Sequence, residues 1–231
     1  MKVKSTISII LCFLFFACGT NSNSEEFIDK VSGRYLYNSD EVIEVYFNEN
    51  KLQIKWRGAT QIEPLKVNDN TFYVKEMNEK IQFLTNPANQ IDYIVLVPKE
   101  ENNAIVYNYR KLDDEEKVPS EYLENNEFDK ALDAFLAIKK KDSLDSAIDQ
   151  GDLNSLGYTK LRDEKYAESI NIFRINVALY PYSSNVYDSL GEAYMKSGDT
   201  IQAIENYKKS LALDSGNSRA KRQLKKLEKK D

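Results

Sequence analysis

Apolar residues along this chain follow three different spacings, and each predicts a different kind of element. Behind Lys2 and Lys4 stands a mostly unbroken apolar run from Ile7 to Phe16. It falls short of the roughly 20 residues a membrane-spanning helix needs. From about Gly33 to Tyr109 the period is two. "KLQIKW" puts Leu52, Ile54 and Trp56 on one face and Gln53 and Lys55 on the other, as a half-buried strand requires. "EVIEVYF" sets Ile43, Val45 and Phe47 against Val42, Glu44 and Tyr46, and "IDYIVLV" places Ile91, Tyr93, Val95 and Val97 together. Beyond residue 119 the apolar positions recur at helical intervals.

Turn-forming clusters separate the period-two runs: "NENK" at 48–51, "RG" at 57–58, "NDN" at 68–70 and "NPAN" at 86–89. Short strands at this spacing predict an antiparallel meander closed into a small barrel, and closure removes unpaired strand edges. The stretch "SGRYLYNSDEVIEVYFNENKLQIKW", with "EPLKVNDNTFYVKEMNEKIQFL" after it, resembles the lipocalin-like domain that follows the catalytic domain in some bacterial beta-lactamase-family serine hydrolases. Such barrels can enclose a small apolar ligand. Here Trp56, Phe47, Phe72, Phe83 and Tyr93 would line it, or those rings simply fill a core.

The helical part repeats itself. "LNSLGYTKLRDEKYAESINIFRINVALYP" aligns with "VYDSLGEAYMKSGDTIQAIENYKKSLALDS", Gly157 matching Gly191 at an offset of 191 − 157 = 34. Leu156 pairs with Leu190, Ile170 with Ile204, Phe173 with Tyr207 and Pro181 with Ser215 at the same offset. This period and these residues resemble the tetratricopeptide repeat, a hairpin of two helices. Gly157 and Gly191 let the helices of a hairpin approach closely, with Ser169 and Ala203 small on the facing helix. A degenerate unit precedes the two, with Phe128, Ala131, Leu132 and Phe135 in its second helix and a short first helix around "PSEYLEN". The closing "SRAKRQLKKLEKK" carries Ala220, Leu224 and Leu227 on one stripe and reads as a solvated cap, which such arrays need.

In this repeat the first helices line a concave surface. The pattern assigns to it Asn154, Tyr158, Leu161 and Arg162 from one unit, and Asn185, Asp188, Glu192 and Lys196 from the next. The clamp through which some members of the repeat family grip acidic C-terminal tails needs Lys and Asn where Asp188 and Glu192 stand. The two carboxylates therefore point to a partner of mixed or basic charge.

Composition narrows the chemistry. The chain has 231 residues, 42% apolar and 30% charged, with a formal net charge of −5, which does not favour binding to phosphate backbones. It contains no histidine, which removes Ser-His-Asp and Cys-His catalysis and the commonest zinc ligand. Residues 111–215 hold 13 basic and 21 acidic side chains (13 − 21 = −8), and residues 216–231 hold 7 and 2 (7 − 2 = +5). The resembling hydrolases carry their catalytic serine and lysine in an upstream domain for which this sequence has no room. Ser218…Lys221 and Tyr46-Phe47-Asn48 match fragments of their motifs in the wrong order, and no phosphate-binding glycine loop or dinucleotide fingerprint appears. Neither catalysis, nor a metal, nor a cofactor is expected.

Cys12 and Cys18 are the only cysteines. A basic start, a short apolar core and small residues after it describe an export signal. "FFACG" around Cys18 resembles a bacterial lipoprotein processing site, although Phe15 and Phe16 depart from the usual pattern. The resemblance implies cleavage before Cys18, its lipidation, and loss of Cys12. The expected organisation is α+β: signal peptide 1–17, lipidated end and flexible tether 18–29, lipocalin-like β-barrel 30–112, acidic linker 113–119 and α-helical repeat array 120–231. Three functions fit: a binding scaffold lipid-anchored in a bacterial envelope, an accessory subunit of a separate serine hydrolase, and a carrier of a small apolar molecule.

Overall fold

A computed structural model describes residues 23–100 and 103–229. Cys12, Cys18 and the export signal lie outside the described residues. Helix α1 (Glu25–Val31) comes first. Ser24 caps it by accepting a hydrogen bond from the Phe27 amide at 3.2 Å, and Glu25 and Glu26 sit at its positive end. Part of the stretch read as a tether is therefore ordered, because Phe27 and Val31 have an apolar interior to enter.

Nine strands follow: β1 (Gly33–Leu36), β2 (Val42–Asn48), β3 (Lys51–Trp56), β4 (Ala59–Ile62), β5 (Leu65–Lys66), β6 (Thr71–Val74), β7 (Glu79–Thr85), β8 (Asp92–Leu96) and β9 (Tyr109–Lys111). They form one antiparallel sheet in the order β4-β3-β2-β1-β9-β8-β7-β6-β5. Two-residue turns with positive φ at both positions, Glu49–Asn50 and Arg57–Gly58, close the first hairpins, the geometry that matches strand twist. The expected closed barrel is instead a curled half-barrel. Its edge strands β4 and β5 are joined only by Glu63 and Pro64, and no ladder pairs them among the described residues. Pro64 has no N–H to offer a ladder.

Inside the curl, Tyr35, Ile43, Val45, Leu52, Ile54, Phe72, Ile81 and Ile94 are buried. Phe27 fills the centre, 6.0 Å from the Phe72 ring, 5.8 Å from Phe83 and 6.2 Å from Phe47. Three of the rings suggested for an apolar ligand, Phe47, Phe72 and Phe83, thus enclose a side chain of the protein's own, while Trp56 packs on Tyr37 at 5.2 Å. The phase expected for β8 is off by one. Ile94 and Leu96 face this core, whereas Tyr93 packs on Tyr107 at 5.2 Å. An apolar run of this kind carries no alternation from which to read its phase.

Seven helices complete the described residues: α2 (Pro119–Glu124), α3 (Phe128–Lys141), α4 (Gln150–Arg162), α5 (Tyr166–Leu179), α6 (Ser184–Ser197), α7 (Thr200–Leu213) and α8 (Ser218–Leu227). They pack as successive antiparallel hairpins, and the array is tetratricopeptide-like. A Cβ on Gly157 would stand 2.5 Å from the Phe173 ring, and one on Gly191 3.1 Å from Tyr207. The aromatic rings of α5 and α7 rest directly on the backbones of α4 and α6. Ser169 donates to the Gly157 carbonyl at 2.9 Å, a further mark of how near the helices come. α8 seals the end with Ala220 and Leu227 buried against Ala203 and Tyr207.

Sheet and array are strapped together. Arg34 on β1 pairs with Glu121 on α2 and donates to the Glu116 carbonyl at 2.7 Å. Glu116 also takes Arg110 at 2.6 Å, so this end of the acidic linker is held, while Asp113, Asp114 and Glu115 are exposed. Leu112 and Val118 are buried beside it.

Candidate partner-binding groove

The concave side of the array is built by α4, α6 and α8, whose corresponding positions recur every 34 residues. Asp188 follows Asn154 by 188 − 154 = 34, and Glu192 follows Tyr158 by the same step. Applying the step once more from Asn185 reaches Arg219 (185 + 34 = 219), the first basic residue of the capping helix.

Arg219 organises the groove. Its Nε donates to Asp188 Oδ2 at 2.7 Å, its Nη1 pairs with Glu192, and its Nη2 donates to the Tyr158 hydroxyl at 3.0 Å. Tyr158 in turn donates to Glu192 Oε2 at 3.0 Å. One guanidinium thereby ties the first helices of three successive units through a planar fork that lysine could not imitate. Burial works against the charge on Arg219, yet the Asp188 and Glu192 carboxylates hold its pKa above the usual range. Burial pushes the Tyr158 hydroxyl upward as well, so it stays a neutral donor. Asp188 is 4% exposed, and its second oxygen has no hydrogen-bond partner among the described residues.

The structure separates the eight residues read as groove-lining. Asn154, Tyr158 and Glu192 stand together, Asn154 accepting from Ser189 at 2.7 Å. Arg162, Asn185 and Lys196 are exposed. Leu161 does not belong with them: it is buried against Phe173, Leu190 and Ala193 in the core between units. Asp188 is no open carboxylate either, since Arg219 covers it. That weakens the reason for expecting a basic partner, because both carboxylates are already paired with Arg219 and only one negative charge of the cluster is left over (+1 − 2 = −1). The apolar stripe of α8 predicts a lid and does not point to Arg219. The 34-residue step from Asn185 is the sequence signal that reaches it.

Other candidate chemistry is dispersed. Tyr46 donates to the Thr60 carbonyl at 2.8 Å on the sheet, and Ser218 opens α8. Among the described residues no group of three or more Cys, Asp or Glu side chains is arranged to hold a metal, and no helix is long and apolar enough to cross a membrane.

No family model matches the chain. Heat shock protein STI1 of Saccharomyces cerevisiae is 33% identical over 96 residues, which is 41% of this chain and 16% of that protein. The chain therefore spans a small part of that relative. Among solved structures, the first TPR of Spaghetti (RPAP3) bound to the HSP90 peptide SRMEEVD has 20% identity and a TM-score of 0.34, over 48% of this chain and 85% of that one. A crystal structure of MamA has 21% identity and a TM-score of 0.34, over 50% and 65%. The Sgt2 TPR domain from Aspergillus fumigatus has 18% identity and a TM-score of 0.35, over 48% and 73%.

Proposed function

We propose that this chain is an exported lipoprotein, anchored at a bacterial envelope membrane through Cys18, that holds a protein or peptide segment in the concave groove and performs no catalysis of its own. The observation that carries the reading is the polar face shared by α4, α6 and α8, locked by Arg219 across three units. A face held so rigidly presents its side chains at fixed positions, which lowers the ordering cost of binding. With Asp188 and Glu192 paired internally, Arg162 and Lys196 are exposed cations at the ends of α4 and α6. Arg222 and Lys226 stand 34 residues beyond Asp188 and Glu192 on α8. The groove therefore suits a segment of mixed or acidic character.

Two measurements test this. Arg162 and Lys196 are exposed, so Arg162→Glu with Lys196→Glu should leave folding intact while reducing partner recovery from native membranes at least fivefold. Unchanged recovery would sink the groove. Metabolic labelling with a fatty acid should mark the mature protein and fail on Cys18→Ser; an unlabelled protein would remove the anchor and leave the groove standing.

A further inference from the structure

Where the sheet meets the array, the degenerate first unit leaves a hole. α2 has 6 residues, whereas α4 has 13 and α6 has 14. It cannot cover the side of α4 as α4 covers α6. The β1–β2 turn fills part of the gap: Asp40 accepts a hydrogen bond from the Ser120 amide at 2.6 Å. That bond supplies the cap that Val118 has no side chain to make. What remains is a cavity of about 430 Å³ between the two halves of the molecule, within the usual range for a ligand site.

Its floor is apolar, made by Leu123, Phe135, Leu153 and Leu156. Its rim is acidic. Asp40 and Glu41 come from the sheet, Asp149 and Asp152 from the start of α4, and Arg57 is the one cation in the lining (−4 + 1 = −3). Arg57 is already committed: it pairs with Glu41 at 3.2 Å and lies over the Tyr37 and Trp56 rings. Asp149 caps α4 by accepting from the Asp152 amide at 2.8 Å. The Asp152 carboxylate itself has no ion pair or hydrogen bond among the described residues. The pKa of Asp40 is pushed up to about 6, chiefly by burial, with Glu121 and Glu41 adding to it against the Ser120 hydrogen bonds. The lining holds more carboxylates than Arg57 can pair.

We propose that this junction pocket receives a lysine or arginine side chain of a partner polypeptide, its methylenes over the leucine floor and its charge among the carboxylates. Both side chains combine an apolar stem with a cationic tip. The assignment of a polypeptide rests on the reading of the array as a scaffold. The pocket itself shares no residue with the Arg219 groove.

The test is an NMR titration of the full chain in detergent with an acetylated, amidated pentapeptide alternating leucine and lysine. Methyl shifts should appear at Leu153 and Leu156, and 0.5 M salt should weaken binding. Asp152→Asn should weaken binding at least fivefold, as should Glu41→Gln, which leaves the α4 cap untouched. A peptide with glutamate for lysine should give no shifts. Shifts confined to the region of Tyr158 and Arg162 would overturn this site while leaving the scaffold reading intact. Pentylamine binding as tightly as the peptide would overturn the polypeptide occupant. A silent spectrum would overturn the pocket alone, since the groove is tested separately with the native partner.

Discussion

At the scale of single residues, the two glycines of the repeat carry unequal loads. A methyl on Gly157 would stand 2.5 Å from a ring that is fully buried, while the corresponding contact at Gly191 is 3.1 Å. Alanine gains about 1 kcal/mol over glycine in a helix interior, and overpacking costs about 1–3 kcal/mol. Gly191→Ala should therefore change stability by less than about 1 kcal/mol. Gly157→Ala should lose about 2 kcal/mol in urea denaturation, because Phe173 is held by Tyr158 at 5.2 Å and cannot swing away. The closeness at both glycines was legible in the sequence, since a small residue faces an aromatic one at a fixed offset. Their ranking was not, because it depends on tenths of an ångström in ring placement.

At the scale of elements, α8 is both lid and groove wall. Its apolar stripe could be read directly from the spacing of Ala220, Leu224 and Leu227. Its polar contribution could not, because Arg219 acts on residues 27 and 31 positions earlier in the chain. Removing it exposes the consequence. Arg219→Ala should cost about 3 kcal/mol, measured as a lowered urea midpoint, because it leaves the carboxylate of Asp188 buried and uncompensated. Arg219→Lys should recover only part of this loss, since an ammonium cannot span Asp188, Glu192 and Tyr158 together. The β8 strand shows the complementary limit. Its existence followed from the apolar run "YIVLV", but that run is apolar on both faces and holds no record of which one turns inward.

At the scale of the whole molecule, sheet and array are coupled through the capping of α2 by Asp40, a contact across 80 residues that no local pattern announces. The coupling has a pH signature. The pKa of Asp40 is raised to about 6 from 3.8, so the folded state holds this proton more tightly than the unfolded chain. The stability it contributes therefore rises as pH falls from about 6 to about 4, and is absent above that window. Asp40→Asn keeps an oxygen for the Ser120 amide and removes the charge. It should be more stable than the parent by up to about 3 kcal/mol at pH 7, with the difference vanishing near pH 4 in parallel thermal melts. Helix α1 has a consequence of another kind. Phe27 is stacked at the centre of the curled sheet, four residues from the first described position. Tension applied at the amino end would thus be borne first by the hydrogen bond from Asn23 to the Asn50 carbonyl at 2.8 Å and next by that aromatic plug, and the sheet would lose its stopper before the helical hairpins felt any strain.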